Sequence, residues 1–381
     1  MQIKILGTES LGVRGLSCSL ELKNRKILID PGLALGWSRG GLLPHPFQVV
    51  IGTRIKDKII EELYNATDVI FSHFHGDHCP LAHPNPYQLG IHEVKNSLST
   101  CRIWARGPDK SSPLQQKRRT ELSDLPGVDL QNAEGKKEGP LEFSVPVPHG
   151  RQTGKENMVM MSKISEKGEI FVHASDIQLL DRKTIKIILD WKPDVVLVSG
   201  PPLYRFSSPS FHSLREQSLQ NAMELCRKVG TVIIDHHLLR SGDGINWLQM
   251  LKNACGNKIF CAADFMKREA IFPEAWRNEL YQWLPVEEGW HQEYKEGKVD
   301  TEEYRIRGWQ ALIDHGKINL CKWYYSCPIK EFTDAGKLER DWIEQYCLVS
   351  NKNCVRYHLE EDGEYHPDNM LPDGEIREEL Q

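Results

Sequence analysis
The 381-residue sequence has no apolar run approaching the ~20 residues needed to span a bilayer. It also lacks a charged-then-apolar leader, because Met1-Gln2-Ile3-Lys4-Ile5-Leu6 reads as a first strand. Nor is there an excess of positive charge. With a net charge of −5 and a pI near 6.3, the chain has no global electrostatic footprint for nucleic acid, although a local groove could still be basic. Internal repeats, low-complexity tracts and C-x2-C pairs are missing as well. These absences lead us to expect a cytoplasmic protein with no membrane partner. Its ten cysteines are then expected to be thiols or metal ligands rather than disulfides.

What the sequence does contain is a dense patch of donors. Phe71-Ser72-His73-Phe74-His75-Gly76-Asp77-His78 places three imidazoles and a carboxylate in six consecutive positions, directly after Val69-Ile70-Phe71. Histidine and aspartate are costly to bury without partners, and no packing requirement asks for so many of them at a strand end. A loop that breaks the strand lets His73 and His75 point one way while Asp77 and His78 turn toward a neighbouring position. Such a stretch can serve two cations about 3.5–4 Å apart. A surface histidine cluster is the competing explanation, and the apolar strand before the motif argues against it.

Further donors fall at the ends of other apolar runs. Asp30 follows Ile27-Leu28-Ile29, and His149 follows Phe143-Ser144-Val145-Pro146-Val147-Pro148. Asp176 ends Ile170-Phe171-Val172-His173-Ala174-Ser175, and Asp235-His236-His237 closes Thr231-Val232-Ile233-Ile234. A lone histidine beside a strand is more often a hydrogen-bonded core residue; five such strand tips in one chain make coincidence a poor explanation.

The pattern His-x-His-x-Asp-His, followed by a single His, a single Asp and a final His, resembles the metallo-β-lactamase superfamily of metal-dependent hydrolases. It is closer still to a mainly archaeal branch of that superfamily. The branch is marked here by Glu9-Ser10-Leu11-Gly12-Val13-Arg14, Ile29-Asp30-Pro31-Gly32, Pro148-His149-Gly150, His173-Ala174-Ser175-Asp176-Ile177-Gln178 and Asp235-His236-His237. The resemblance covers roughly the first 290–315 residues. It implies a four-layer αββα sandwich, with His73, His75 and His149 on one metal. Asp77, His78 and a histidine of the 236/237 pair would hold the other, with Asp176 bridging. His236 is the favoured member of that pair because it stands directly after its strand, as His73 does. Asp30 would orient the ligand loop, a role that matters for affinity and geometry.

The implied chemistry is metal-assisted hydrolysis, in which a cation pair lowers the pKa of a water toward about 7 and polarises the substrate oxygen. Imidazole and carboxylate donors suit zinc best, with manganese or iron as alternatives. A small or medium ester is the expected substrate: a phosphodiester, thioester or lactone. Asp77, or the spare histidine of the 236/237 pair, is the candidate for proton delivery, and Asp77 and Asp176 are the candidate catalytic carboxylates. Cys79 reads more readily as a small apolar residue starting a helix than as a ligand. His173 stands three residues before Asp176, so strand alternation turns it to the opposite face and into a supporting role.

Substrate-binding candidates are Arg14, in a glycine-flanked turn where it could grip an anion or face solvent, and Tyr204 in the turn Ser199-Gly200-Pro201-Pro202-Leu203-Tyr204. Lys117-Arg118-Arg119 is either a phosphate stripe or, more commonly, a solvated helix face. Pro44-His45-Pro46 and Pro84–Pro86 mark loops that could form lids.

Strands are expected at 2–6, 16–22, 25–29, 68–72, 101–104, 141–145, 158–163, 169–174, 194–198 and 231–234. Helices are expected at 55–65, 113–122, 181–190, 212–228, 244–254 and 273–283. Few helices separate the early strands and the later ones alternate with helices, which fits an α/β class with a sheet-on-sheet core flanked by helices.

Composition shifts after about residue 285, where Glu287-Glu288-Gly289-Trp290 opens a charged stretch. A domain over 1–290 is expected to give way to a helical connector, 291–316, and a small cysteine-containing module, 317–381. Cys321, Cys327, Cys347 and Cys354 are spaced C-x5-C, nineteen residues, C-x6-C. Four thiols in so small a piece can hold zinc or a 4Fe–4S cluster, and a piece of this size struggles to fold without a staple. Buried thiols in a helical module are the alternative. The tail from Glu360 is acidic with scattered prolines and reads as loosely ordered.

Two other functions use the same residues. A nuclease of RNA or DNA would need basic residues around the metal pocket, and its binding would weaken with salt. A redox or sensor protein would carry iron in the sandwich and a cluster at the four cysteines.

Overall fold
The computed structural model describes residues 1–150, 157–206, 208 and 211–380. Among them, two large sheets form. The first runs in chain order: β1 (Gln2–Gly7), β2 (Ser17–Leu22), β3 (Arg25–Ile29), β4 (Asp68–Phe71), β5 (Arg102–Ala105) and β6 (Leu130–Asn132). The second contains β7 (Lys137–Glu138) and β8 (Leu141–Phe143), while β9 (Val147–Pro148) and β10 (Met158–Val159) make a separate ribbon. It continues with β11 (Ser162–Glu166), β12 (Glu169–His173), β13 (Val195–Ser199), β14 (Thr231–Asp235) and β15 (Ile259–Phe260).

Each sheet begins antiparallel and ends parallel: β1 to β3 form a meander and β3 to β6 run parallel, as do β12 to β15. Parallel neighbours require crossovers. The first sheet has α1 (Pro46–Tyr64), α2 (Ile91–Leu98) and α3 (Pro113–Ser123); the second has α4 (Arg182–Asp190), α5 (His212–Lys228) and α6 (Gly242–Cys255).

The central strands are buried on both faces, with all four residues of β4 and all but the first of β13 and β14 inaccessible. Strands covered on both sides read as continuous apolar runs, as Val195–Val198 and Val232–Ile234 do. On the outer face of the first sheet, α1 buries Ile55, Ile59 and Leu63, spaced four residues apart along one helix face. On the inner faces the two sheets meet each other: the Trp104 and Phe143 rings are 5.8 Å apart, and His173 donates from Nε2 to the Leu16 carbonyl at 2.9 Å. The result is the expected αββα arrangement.

Six further helices follow: α7 (Ala262–Phe265), α8 (Arg277–Trp283), α9 (Trp290–Lys295), α10 (Glu302–Asp314), α11 (Pro328–Asp334) and α12 (Val355–Asp362). α10 lies on α1, where Trp309 meets Phe47 edge-on at 5.2 Å. Arg54 of α1 and Arg305 of α10 both bind Asp341 and Glu344, tying the C-terminal segment to the sandwich. No helix among the described residues is long and apolar enough to cross a membrane.

Several elements differ from the sequence-based expectation. α1 starts at Pro46, not near 55, because Pro46 occupies the first helical turn and the His45 side chain accepts from the Phe47 N–H; the Pro-His-Pro loop is a helix start rather than a lid. The strand expected over 158–163 is split between β10 and β11. β6, β7, β9 and β15 have three residues or fewer, too short for alternation to reveal. The acidic tail is packed: the Arg356 guanidinium donates to the carbonyls of Pro367, Asp368 and Met370, and Leu371 and Leu380 are buried.

Candidate metal centre
The strand ends of the two sheets converge on Asp176. Its Oδ2 lies 3.1 Å from His237 Nε2, 3.2 Å from His149 Nε2, 3.3 Å from His78 Nε2, 3.4 Å from His236 Nε2 and 3.8 Å from His73 Nε2. His75 joins through Nδ1, 3.0 Å from His73 Nε2. Four overlapping sets of donor atoms among the described residues have spacings that suit a metal ion: His73, His75, His149 and Asp176; Asp30, His73 and His78; Asp77, His78 and His236; and Asp176, His236 and His237. The second carboxylate oxygen of Asp176 is buried with no partner, as is Nδ1 of His237. A carboxylate atom buried without a donor is expensive in protein alone, so this donor set fits cations.

Outer atoms of the rings aim the inner ones. His78 Nδ1 donates to Asp30 Oδ2 at 2.9 Å, and His236 Nδ1 donates to Glu9 Oε2 at 2.7 Å. A carboxylate can only accept, so the proton sits on Nδ1 and the Nε2 lone pair faces the site. His73 Nδ1 donates to Ser72 Oγ at 3.0 Å, which in turn donates to Asp30 Oδ2 at 2.5 Å. Asp30 also accepts the Ser72 N–H at 2.8 Å. One buried carboxylate thus holds the start of the ligand loop in two places. Gly32, two residues on, lets the backbone pass against the His78–Cys79 peptide, where a Cβ would collide.

Backbone strain gathers at the same place. Asp30, Ser175 and His236 have left-handed φ values of 48°, 54° and 60°, each costing of order 1–3 kcal/mol. Asp235 offsets part of this at the third by accepting N–H bonds from His236, Ser10 and Ala262 at 2.7, 3.1 and 2.9 Å; it clamps the turn and is not in a donor set.

The field inside the cluster divides the imidazoles. Burial and neighbouring rings push His73 well below the usual imidazole pKa and bring His75 to about 3, and burial, Arg240 and His236 push His237 well down too. Burial opposes charge on His78 too, but Asp176 and Asp30 outweigh it and hold the pKa well up. At His236, Asp176 and Glu9 overcome burial and set it at about 9. Asp77 is half-buried; desolvation works against its charge, yet His78, His236 and Arg240 keep its carboxyl ionised. An ionised Asp77 offers a lone pair to a cation. Positive charge is therefore favoured between His78, His236, Asp77 and Asp176.

The remaining candidates lie elsewhere or do other work. His173 is buried, binds the Leu16 carbonyl and belongs to none of the donor sets. Cys79 donates from Sγ to the His75 carbonyl at 3.3 Å, and burial pushes its thiol pKa up; it lies in a turn rather than at a helix start. Arg14 is half-buried, and Glu274 binds its guanidinium at 2.5 Å. Tyr204 stands between two guanidiniums, 5.3 Å from that of Arg39 and 5.6 Å from that of Arg205. Of the basic run in α3, Lys117 pairs with Glu121, Arg118 donates to the Phe74 carbonyl at 3.1 Å, and Arg119 binds the carbonyls of Arg106 and Leu130. Cys321, Cys327, Cys347 and Cys354 come together apart from this centre.

Sequence reasoning did not assign roles to Glu9, Ser72, Gln115 and Arg240. Arg240 binds Glu9 and lies 3.5 Å from Asp77, while the Gln115 amide is 3.2 Å from His75 Nε2. The one available signal was Arg240 standing four residues after His236, a spacing that brings side chains together on a helical turn.

No family model matches the chain. In sequence it is 45% identical to a UPF0282 protein of Methanosarcina mazei over 306 residues, covering 80% of this chain and all of that one. A UPF0282 protein of Thermococcus gammatolerans is 32% identical over 303 residues, covering 74% of this chain and 95% of that one. Among solved structures, the chain is similar to a metal-dependent hydrolase of the beta-lactamase superfamily, with a TM-score of 0.41 and 17% identity over 68% of this chain and 94% of that one. It is also similar to Zn(2+)-bound PqqB from Methylobacterium extorquens, with a TM-score of 0.39 and 9% identity over 68% of this chain and 98% of that one. These structural likenesses are weak, and the layers and strand order described above stand without them.

Proposed function
The chain belongs to the UPF0282 family, and on that premise we propose that it is a hydrolase that uses two divalent metals, zinc in preference to manganese or iron, on an ester-type bond. One observation supports this reading above the others: five imidazole nitrogens surround a single carboxylate oxygen of Asp176. Most of the donors are imidazole nitrogens, which suit zinc or iron better than manganese. In this reading His73, His75 and His149 hold one cation, Asp77, His78 and His236 hold the other, and Asp176 spans both. When bound, such a pair supplies an activated water near neutral pH and polarises the ester oxygen.

The protein's own groups then have defined tasks. Asp30, Glu9 and Ser72 aim the inner ring nitrogens at the site, where a bound cation would take the place of their protons. Arg240 neutralises Glu9 and faces Asp77. His237 and His149 are the most open of the rings on Asp176, with 11% and 10% of their side chains exposed. Nε2 of His237 faces Asp176 and its Nδ1 has no protein partner, so this ring is placed to relay a proton between solvent and the site.

Among esters, an anionic one such as a phosphodiester fits best. Arg39 and Arg205 flank Tyr204, and Tyr204 in turn lies close enough to Arg240 to raise its pKa. Among the described residues, Arg205 has no carboxylate partner. The test is metal content together with turnover of bis-nitrophenyl phosphate, a thioester and a lactone by wild type and Asp176→Asn. Loss of both metals and of turnover in the variant is expected, with a decline exceeding the roughly 100-fold typical of supporting residues. Full metal content and turnover in Asp176→Asn would overturn the reading.

A further inference from the structure
A second group of metal-ligating side chains lies in the C-terminal segment. Cys321, Cys327, Cys347 and Cys354 line one cavity of about 50 Å³, together with Trp323 and Arg356. A single water needs about 10–15 Å³ on this measure, so the space is larger than one ion requires.

The chain brings the four thiols to this place by distinct local structures. The Cys321 N–H donates to the Cys347 carbonyl at 3.0 Å, joining two of the segments directly. Cys347 lies in the π-helical turn Ile343–Leu348, a geometry often found at functional sites. Cys327 and Cys354 immediately precede α11 and α12, and neither uses its side chain to cap the helix. Their sulfurs are left for the cavity. No disulfide pairs any of the four.

The surroundings suit thiolates bound to a cation. The backbone N–H groups of Trp323 beside Cys321, and of Tyr357 and Arg356 beside Cys354, work against the rise in thiol pKa that burial causes. Burial raises the Cys347 thiol pKa, and the other three cysteines raise it further, which places all four in one another's field. Without a cation such thiols stay protonated; a metal reverses the preference.

Spacing separates one ion from several. Tetrahedral zinc, with Zn–S near 2.3 Å, needs its sulfurs about 3.8 Å apart. No three of these four sulfurs lie within 4.8 Å of one another. A cuboidal cluster holds its thiolates farther apart, one on each iron at a corner, with inorganic sulfide between. Those sulfides accept hydrogen bonds, and Nε1 of Trp323 and Nε of Arg356 are buried here without an acceptor.

We propose that Cys321, Cys327, Cys347 and Cys354 bind a 4Fe–4S cluster, separate from the sandwich metals. Full-length protein purified without oxygen should contain about four acid-labile sulfides per chain, with a Mössbauer spectrum of tetrahedral sulfur-ligated iron. Sulfide is the decisive quantity because a di-iron centre in the sandwich contributes none. Cys347→Ser and Cys354→Ser should lose the sulfide and keep the sandwich metals, whereas His75→Ala should do the reverse. If the cysteine variants do not fold, the sulfide content and spectrum of the wild type decide. Wild-type protein with no sulfide overturns the proposal, whether it holds one zinc at the four thiols or leaves them metal-free and open to a thiol reagent.

Discussion

Oε2 of Glu9 lies 2.7 Å from Nδ1 of His236 although the two residues are 227 positions apart. That bond, made between the end of β1 and the end of β14, decides which nitrogen of His236 faces Asp176. Substituting Glu9→Gln keeps the shape and removes the charge. We expect metal affinity to fall by about 10–100-fold, as for other residues that orient a ligand. A competition titration against a chelator would measure it, and unchanged affinity would refute the role.

Gly32 permits the close approach of two backbones behind the ligand loop, since a Cβ there would run into His78 and Cys79. Gly32→Ala should displace His78 and weaken metal binding, at an overpacking cost of about 1–3 kcal/mol. Calorimetry of the apo and loaded forms separates the two effects. A variant that binds metal as tightly as wild type would show that the loop tolerates the shift.

Glu274 is buried between Arg14 at 2.5 Å and Arg277 at 2.7 Å. Burial works against its charge, but the two guanidiniums hold its pKa at about 2. Removing one partner of a buried ionic group costs about 3–5 kcal/mol because the rest stay uncompensated. Glu274→Gln should lose stability of that order in urea unfolding, and Arg14→Met combined with it should recover part. No recovery in the double variant would argue against coupling.

His45 offers a pH test away from the metals. It is fully buried, its Nε2 donates to the Leu284 carbonyl at 2.8 Å, and burial lowers its pKa to about 4. An unfolded histidine binds its proton below about 6.5, so between pH 6.5 and 4 the unfolded chain holds one proton more than the folded one at this site. Stability should therefore fall as pH drops through that window, by about 1.4 kcal/mol per unit and roughly 3 kcal/mol in all. Comparing unfolding of His45→Gln with wild type across this range should show about one proton less taken up on unfolding. An identical pH slope in the two proteins would remove His45 as the cause.

Much of the architecture could be read from periodicity. Val195–Val198 and Thr231–Ile234 are short apolar runs bounded by turns, and the helices that separate them carry amphipathic spacing, so the layered α/β plan followed. Ligands could be read because they sit at the ends of such runs, where a strand stops and a side chain has no sheet to pack into. Arg14 was harder. Its sequence neighbours say only that it lies in a turn, and its fate was set by Glu274, 260 residues away. The start of α1 carried a usable signal in Pro46 at the first turn, which the neighbouring Pro44 obscured. For the tail, composition suggested loose order, while three carbonyls gathered on Arg356 hold it in place.

By itself the order of amino acids determined the donor chemistry: imidazoles and carboxylates at strand tips, in a pattern that packing alone does not call for. What only the tertiary structure decided was orientation. A histidine has two nitrogens, and nothing local says which will face a cation. That choice depends on acceptors such as Glu9 and Asp30 delivered by distant strands, and therefore on how the two sheets meet.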